Sequence, residues 1–238
     1  MIEETFSSVF AVFDYLKTKG WGGLYHTNPC FEVMQLAENQ LVACPMPMNP
    51  LYRGQSAIYT PCKPSLYRGE WTMEQSFERL IQMSDFKAIL QENPQIKDLE
   101  RAGLLVNFEA LAQHYGIATN MMDMTNSPLV AAFFATTGYD AVSDSYYPIL
   151  HTVSKGVIYF SPTGDMLNIS KKHRIWPIGQ EALRRPGEQR AYAMVMEQHS
   201  DFNIAHFGII QRARYVYGKL RKGDKCFSHS ILWRKKFV

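Results

Sequence analysis

The sequence is short of cysteine, of long apolar runs and of net charge. Its four cysteines, Cys30, Cys44, Cys62 and Cys226, lie far apart. No CxxC pair and no cysteine–histidine ligand spacing occurs, which excludes the common structural zinc patterns and fits reduced thiols. No metal is expected. No apolar stretch approaches the roughly 20 residues that a membrane helix needs. The opening MIEETFSSVF is acidic where a secretory signal would be basic. These absences lead to the expectation of a cytoplasmic protein with no membrane partner. A GxSxG nucleophile elbow is missing too, and His114 with Asp123 has no evident nucleophile beside it except Thr119 or Thr125, which argues against serine hydrolase chemistry. The net charge is only +3 over 238 residues, low for a dedicated nucleic-acid binder. Its lysines and arginines do crowd the last twenty residues, from Lys219 to Lys236, among Tyr215, Tyr217, Phe227 and Trp233. The plain reading of that tail is a terminal strand and solvated charge.

What the chain does have is an ordinary globular composition, 46% hydrophobic and 20% charged, and one stretch that gathers polar groups of catalytic type. Leu111 to Ala135 reads LAQHYGIATNMMDMTNSPLVAAFFA. Leu104, Phe108, Leu111, Ala112 and Tyr115 recur at helical spacing, and Gly116 stands where a glycine ends a helix. Thr125, Asn126 and Ser127 precede Pro128 in the order of cap residues and first-turn proline, and LVAAFFA continues as a helix apolar on nearly every face, hence buried. His114, Thr119, Asp123 and Thr125 fall at or between helix ends, next to core, where polar side chains need partners or a ligand.

Around this block the spacing predicts a first helix with Val9, Phe10, Phe13 and Leu16 on one face, capped by Thr5 or Ser7 and ended by Gly20. Trp21 to Asn49 is irregular, rich in Gly, Pro, Asn and Met. It reads as an inserted or lid-like loop with at most one short helix over Phe31 to Ala37. Leu51 to Gln55, LYRGQ, reads as a strand, echoed by PSLYRGE at Pro64 to Glu70. An arginine between an aromatic and a glycine suits anion recognition, because the guanidinium is a bidentate fork and glycine lets a ligand approach the backbone. The plainer alternative, an arginine satisfying a carbonyl within the fold, is favoured for Arg68 and open for Arg53. Helices are expected over Met73 to Met83, on the face Met73, Phe77, Leu80 and Ile81, and over Asp85 to Gln91 after a Ser84 cap. Pro94 should stop the latter, and another helix should run from Ile96 to Tyr115. Strand patterns follow at Gly156 to Ser161, His173 to Ile178, Arg190 to Glu197 and Arg212 to Tyr217. A helical half before a β-rich half implies an α+β fold, a helical N-terminal half packed on a mainly antiparallel sheet. One domain is expected over residues 1–238.

LYRGQ, then PSLYR, then Gln113, His114, Gly116, Thr119, Asp123 and Thr125 in register resemble the FRG domain. That family is named for a Phe/Tyr-Arg-Gly motif and carries a Gln-His-x-Gly-x-x-Thr-x-x-x-Asp-x-Thr block before an apolar helix. The resemblance covers Tyr52 to Ala135 and extends weakly to Phe202. Ala118, Asn120 and Met124 stand where the family has Pro, Arg and Trp, and Arg190 to Met194 has methionine in place of a family glutamine. A more distant likeness is to ADP-ribosyltransferases and their arginine, serine and glutamate motifs, here Arg53, Thr125 with Ser127, and Glu197 or Gln198. That likeness implies NAD as substrate. Arg53 would clamp its phosphates, Thr125 support the ribose, and Glu197 stabilise an oxocarbenium-like state or orient the acceptor. Tyr52, Gln55, His114, Thr119, Asp123 and Gln198 would line the ligand. The partner implied is a small nucleotide, with a macromolecular acceptor left open. A phosphate-binding or protein-interaction module without turnover would keep Arg53, His114 and Thr125 and dispense with Glu197.

Overall fold

The computed structural model describes residues 3–6, 8–18, 30–37, 40–46, 51–149, 155–161, 175–178, 183–202 and 211–216. The fold is α+β on a mainly antiparallel sheet, as the sequence implies. Seven strands form that sheet: β1 (Glu3–Phe6), β4 (Leu51–Gln55), β5 (Met121–Thr125), β8 (Lys155–Ser161), β9 (Ile175–Pro177), β10 (Ala191–Val195) and β11 (Gln211–Val216). Their spatial order is β1-β11-β8-β4-β5-β10-β9, and only the pairing of β1 with β11 is parallel. Strands therefore come from both halves of the chain, and β4 and β5 sit at the sheet's centre.

Alternation along the strands sorts the core into two faces. Leu51, Met122, Met124, Val157, Tyr159, Tyr192 and Met194 face one way. Over them lies a hairpin of β2 (Cys30–Ala37) and β3 (Gln40–Met46), with Cys44 in the cluster and Met34 and Met46 against it. This hairpin replaces the loop or short helix expected between Trp21 and Asn49. β-branching is sparse there and Pro45 lies inside a strand, so the pattern resembles loop, yet a two-stranded ribbon can carry proline on its free edge. Residues 21–29, 38–39 and 47–49 of that segment lie outside the described residues, as does the basic tail from Lys219 to Lys236.

On the opposite face Tyr52, Ile158 and Phe160 meet two helices, α1 (Val9–Thr18) and α5 (Pro128–Thr136). Ser8 caps α1, its hydroxyl accepting from the Ala11 amide at 3.2 Å. Thr5 lies in β1 and is not the cap, and Ser7 lies outside the described residues. Val12 takes the core position expected of Phe10, which is exposed. Ser127 caps α5 and Pro128 opens it, as expected, and the helix is buried at Val130, Ala131, Ala132, Phe133 and Ala135.

The remaining helices correct three boundaries. α2 (Met73–Glu92) is one helix of 20 residues running through Ser84, which caps nothing. Its Phe86 and Leu90 pack on Ile96, Val106 and Leu111, while Met73, Phe77, Leu80 and Ile81 are exposed. Pro94 follows directly on the end of α2, as expected, and also opens a new helix, α3 (Pro94–Arg101), with Asn93 as the cap between them. Gly103, at φ +77, follows α3, and α4 (Phe108–His114) starts afresh at an Asn107 cap. Gly116, at φ +91, follows the end of α4, as its position after Tyr115 implies.

Candidate functional site

The site forms where two central strands part. β4 and β5 share a single pair, Tyr52 with Thr125. Beyond it β4 continues along β8 to Gln55, and β5 runs along β10 to Met121. Between them opens a cavity of about 140 Å³, lined by Tyr52, Arg53, Gly54, His114, Asp123, Met124, Thr125, Val130, Ala131, Phe134 and Gln189. Arg53 bridges the fork: its Nη1 donates to the Asp123 carbonyl at 2.6 Å. The guanidinium lies 6.0 Å from the centre of the Phe202 ring. With Nη1 committed, the Nε edge is left, and Nε is buried with no hydrogen-bond partner.

Across the cavity His114 projects from the last turn of α4. It is 5% exposed, and its Nε2 also has no hydrogen-bond partner. Asp123 Oδ1 stands 3.6 Å from that nitrogen, beyond hydrogen-bond length. The carboxylate is held from behind, because Gln113 Nε2 donates to the same Oδ1 at 2.9 Å. The Thr119 hydroxyl donates in turn to Gln113 Oε1, and it accepts from the Met121 amide at 3.2 Å. Ser65 in the second arginine motif anchors this loop, its hydroxyl accepting from the Thr119 amide at 3.2 Å. Thr119 therefore sits behind the site, as a support for Gln113 and Asp123.

Two residues of the arginine motif have plainer roles than their neighbour. A Cβ on Gly54 would stand 1.7 Å from the Ala131 carbonyl oxygen of α5. The glycine admits a helix and not a ligand. Gln55 is buried against Cys62, its Nε2 3.5 Å from the sulfur, and does not line the cavity. Arg68 donates from Nε to the Lys63 carbonyl at 2.9 Å, the structural role favoured for it. Thr125 does line the cavity, with its hydroxyl engaged: it donates to the Gln189 carbonyl at 2.6 Å and accepts from the Ser127 amide at 3.0 Å.

Glu197 and Gln198 are not brought to this site. Thr125 pairs with Ala191 and Met121 with Val195. The four steps from Ala191 to Val195 cover about 13 Å, and Glu197 and Gln198 lie beyond them, exposed. Among the described residues, Asp123 is the only carboxylate lining the cavity. Gln189, Val130 and Phe134 line it without having been singled out in the sequence. Val130 and Phe134 share the helix that follows the polar block, which could have marked them. Gln189 carries no local signal, since only the β5–β10 pairing brings it there. Among the described residues no group of three or more His, Cys, Asp or Glu is placed to hold a metal. No described helix is long and apolar enough to cross a membrane.

Residues 48–144 match the family model of the FRG domain. The match covers 97 of the chain's 238 residues. Its matched stretch contains Arg53, His114, Asp123 and Thr125 and ends before the strand that leads to Glu197. Among the described residues that line the cavity, all but Gln189 fall within the matched stretch. No curated protein and no solved structure matches the chain.

Proposed function

We propose that the fork cavity binds NAD or a related nucleotide, seating a ribose and one of its phosphates. The observation that carries this is the pair of buried nitrogens, Arg53 Nε and His114 Nε2, which have no hydrogen-bond partner and belong to two residues that line one cavity. Leaving a buried polar group unpaired costs about 1–3 kcal/mol, a cost that ligand oxygens at both positions remove. The Nε edge of Arg53 suits a phosphate oxygen. His114, in the tautomer with its proton on Nε2, and the Asp123 carboxylate 3.6 Å away form a donor and an acceptor that one hydroxyl can bridge, accepting from the first and donating to the second. Val130, Ala131 and Phe134 give a ring an apolar wall. In a transfer or hydrolysis of ADP-ribose, Asp123 takes the carboxylate role that the ADP-ribosyltransferase likeness gave to Glu197. The acceptor is then water or a macromolecule reaching the open side.

The test is calorimetric titration with NAD alongside an assay of nicotinamide release, on the wild type, Arg53→Ala and Asp123→Asn. Binding is expected in the wild type and lost in Arg53→Ala. Release is expected to vanish in Asp123→Asn while binding persists. A wild type that binds neither NAD nor ADP-ribose would refute the reading. The exposed position of Glu197 favours a second reading, a nucleotide-binding module without turnover, for which NAD binds and no nicotinamide is released.

A further inference from the structure

The cavity is small for the ligand class proposed. About 140 Å³ is well under the roughly 300–1,000 Å³ of sites that enclose whole ligands of drug size. A dinucleotide seated here by one ribose and one phosphate must extend its second phosphate past the rim. One side of that rim is α6 (Arg184–Gln189). Gln189 lines the cavity, and Arg185 lies four residues before it, on the same side of the helix. Arg185 also neighbours Tyr115, the residue after His114 at the end of α4. Burial raises the Tyr115 phenol above its ordinary range, and the charge of Arg185 opposes the rise. Arg185 thus stands one helical turn from a lining residue of the cavity, and its charge reaches the residue that follows His114.

Among the described residues Arg185 has no counterion. Its neighbour Arg184 is paired with Glu188 at 2.8 Å, whereas Arg185 has no ion pair or hydrogen bond among the described residues, and it is partly buried. A partly desolvated guanidinium keeps its full bidentate capacity for a phosphate and, unlike Arg53, has no nitrogen committed to a carbonyl. The geometry points to Arg185 as a second anion subsite, which takes the distal phosphate of a nucleoside diphosphate whose proximal phosphate and ribose occupy the fork. This rests on the nucleotide-binding reading and narrows it: the preferred ligand carries two phosphates.

The experiment compares NAD, with two phosphates, and nicotinamide mononucleotide, with one, on the wild type, R185Q, R185K and R53A. The subsite requires R185Q to weaken NAD about tenfold while leaving the mononucleotide unchanged, R185K to recover part of the loss, and R53A to lose both ligands. The preference of the wild type for NAD over the mononucleotide should also shrink as salt rises. If R185Q leaves NAD affinity unaltered while R53A abolishes it, the subsite is overturned and the fork reading stands. Equal weakening of both ligands by R185Q overturns it as well, since that marks general damage to the site. A wild type that binds neither ligand overturns both inferences.

Discussion

Replacing Gly54 with alanine tests the claim that this glycine holds a helix against the sheet. The new Cβ would lie 1.7 Å from the Ala131 carbonyl oxygen, 2.6 Å from its carbonyl carbon and 3.0 Å from the Ala135 amide nitrogen. All three are backbone atoms, so no rotamer change relieves the contact, and α5 must retreat from β4 by about 1.5 Å to restore van der Waals distance. The retreat separates Ala131, Ala132 and Ala135 from Tyr52, Ile158 and Phe160, which form one buried cluster. Overpacking of this kind costs about 1–3 kcal/mol, and a contact made by backbone on both sides belongs at the upper end. Urea unfolding followed by circular dichroism should show the midpoint fall by about 1 M with the slope unchanged. The chain contains its own control. Gly69 occupies the same place in the second Tyr-Arg-Gly copy, and a Cβ there meets nothing within 4 Å. Gly69→Ala should stay within about 0.5 kcal/mol of the wild type. Gly54→Ala as stable as Gly69→Ala would sink the packing argument. Ala131→Gly should not rescue Gly54→Ala, because the clash is with the carbonyl and not with the side chain.

Other perturbations separate fold from site. Thr125→Val keeps the shape but strips the hydroxyl that joins the Gln189 carbonyl to the Ser127 amide; a loss of about 1–3 kcal/mol is expected in urea unfolding, with Thr125→Ser near the wild type. Phe77→Ser should change stability by no more than about 0.5 kcal/mol, since Phe77 is 64% exposed; a large loss would mean that the outer face of α2 is packed. The Tyr192 phenol and the Cys44 thiol lie 3.4 Å apart in the core, both pushed above their ordinary range chiefly by burial. Raised folded-state values mean stability that is complete below the unfolded pKa values and is lost above them, so unfolding free energy should decline from about pH 9 upward, by up to 1.4 kcal/mol per pH unit for each group. Tyr192→Phe removes one of the two titrations, and its decline between pH 9 and 11 should be shallower than that of the wild type.

Much of the local structure was legible because it is written in short-range chemistry. Ser127 and Pro128 announce α5, Gly116 marks the end of α4, and the alternation in GVIYFS and AYAMV identifies β8 and β10. The failures have a common physical cause, which is that tertiary contacts outweigh weak local preference. MMDMT is a strand because Met122 and Met124 fill the core while β10 pairs along its length, although methionine favours no strand by itself. α2 runs through Ser84 because Phe86 and Leu90, partly buried, pack on the cluster of Ile96, Val106 and Leu111. Its other apolar stripe, Met73, Phe77, Leu80 and Ile81, has the better helical period yet is exposed. At the site, Arg53, His114 and Asp123 were recognisable as types in a pattern, but the fork that joins them was not. A sequence states that two segments can be strands, and not that they share only one pair before parting.

The aromatic-Arg-Gly motif therefore joins two functions on adjacent residues, and strand alternation is what keeps them apart. Tyr52 and Gly54 point to the helical face, where one fills the core and the other makes room for α5. Arg53 points to the hairpin face, near Phe202, and its guanidinium turns into the gap towards Asp123. The two functions still depend on each other. With α5 close against β4, Val130, Ala131 and Phe134 become a wall of the cavity. With β5 diverging after one pair, the Asp123 carbonyl is free of a β4 partner and accepts from Arg53 instead. One guanidinium nitrogen thus replaces the missing rungs of the ladder, leaving the Nε edge for a ligand. Retention of the glycine in a variant reports on the helix alone. Arg53→Lys distinguishes the two uses of the arginine, because a single ammonium can bridge to the Asp123 carbonyl or meet a phosphate but cannot offer a separate edge to each. Retained stability with lost nucleotide binding in Arg53→Lys is the outcome that a divided guanidinium requires.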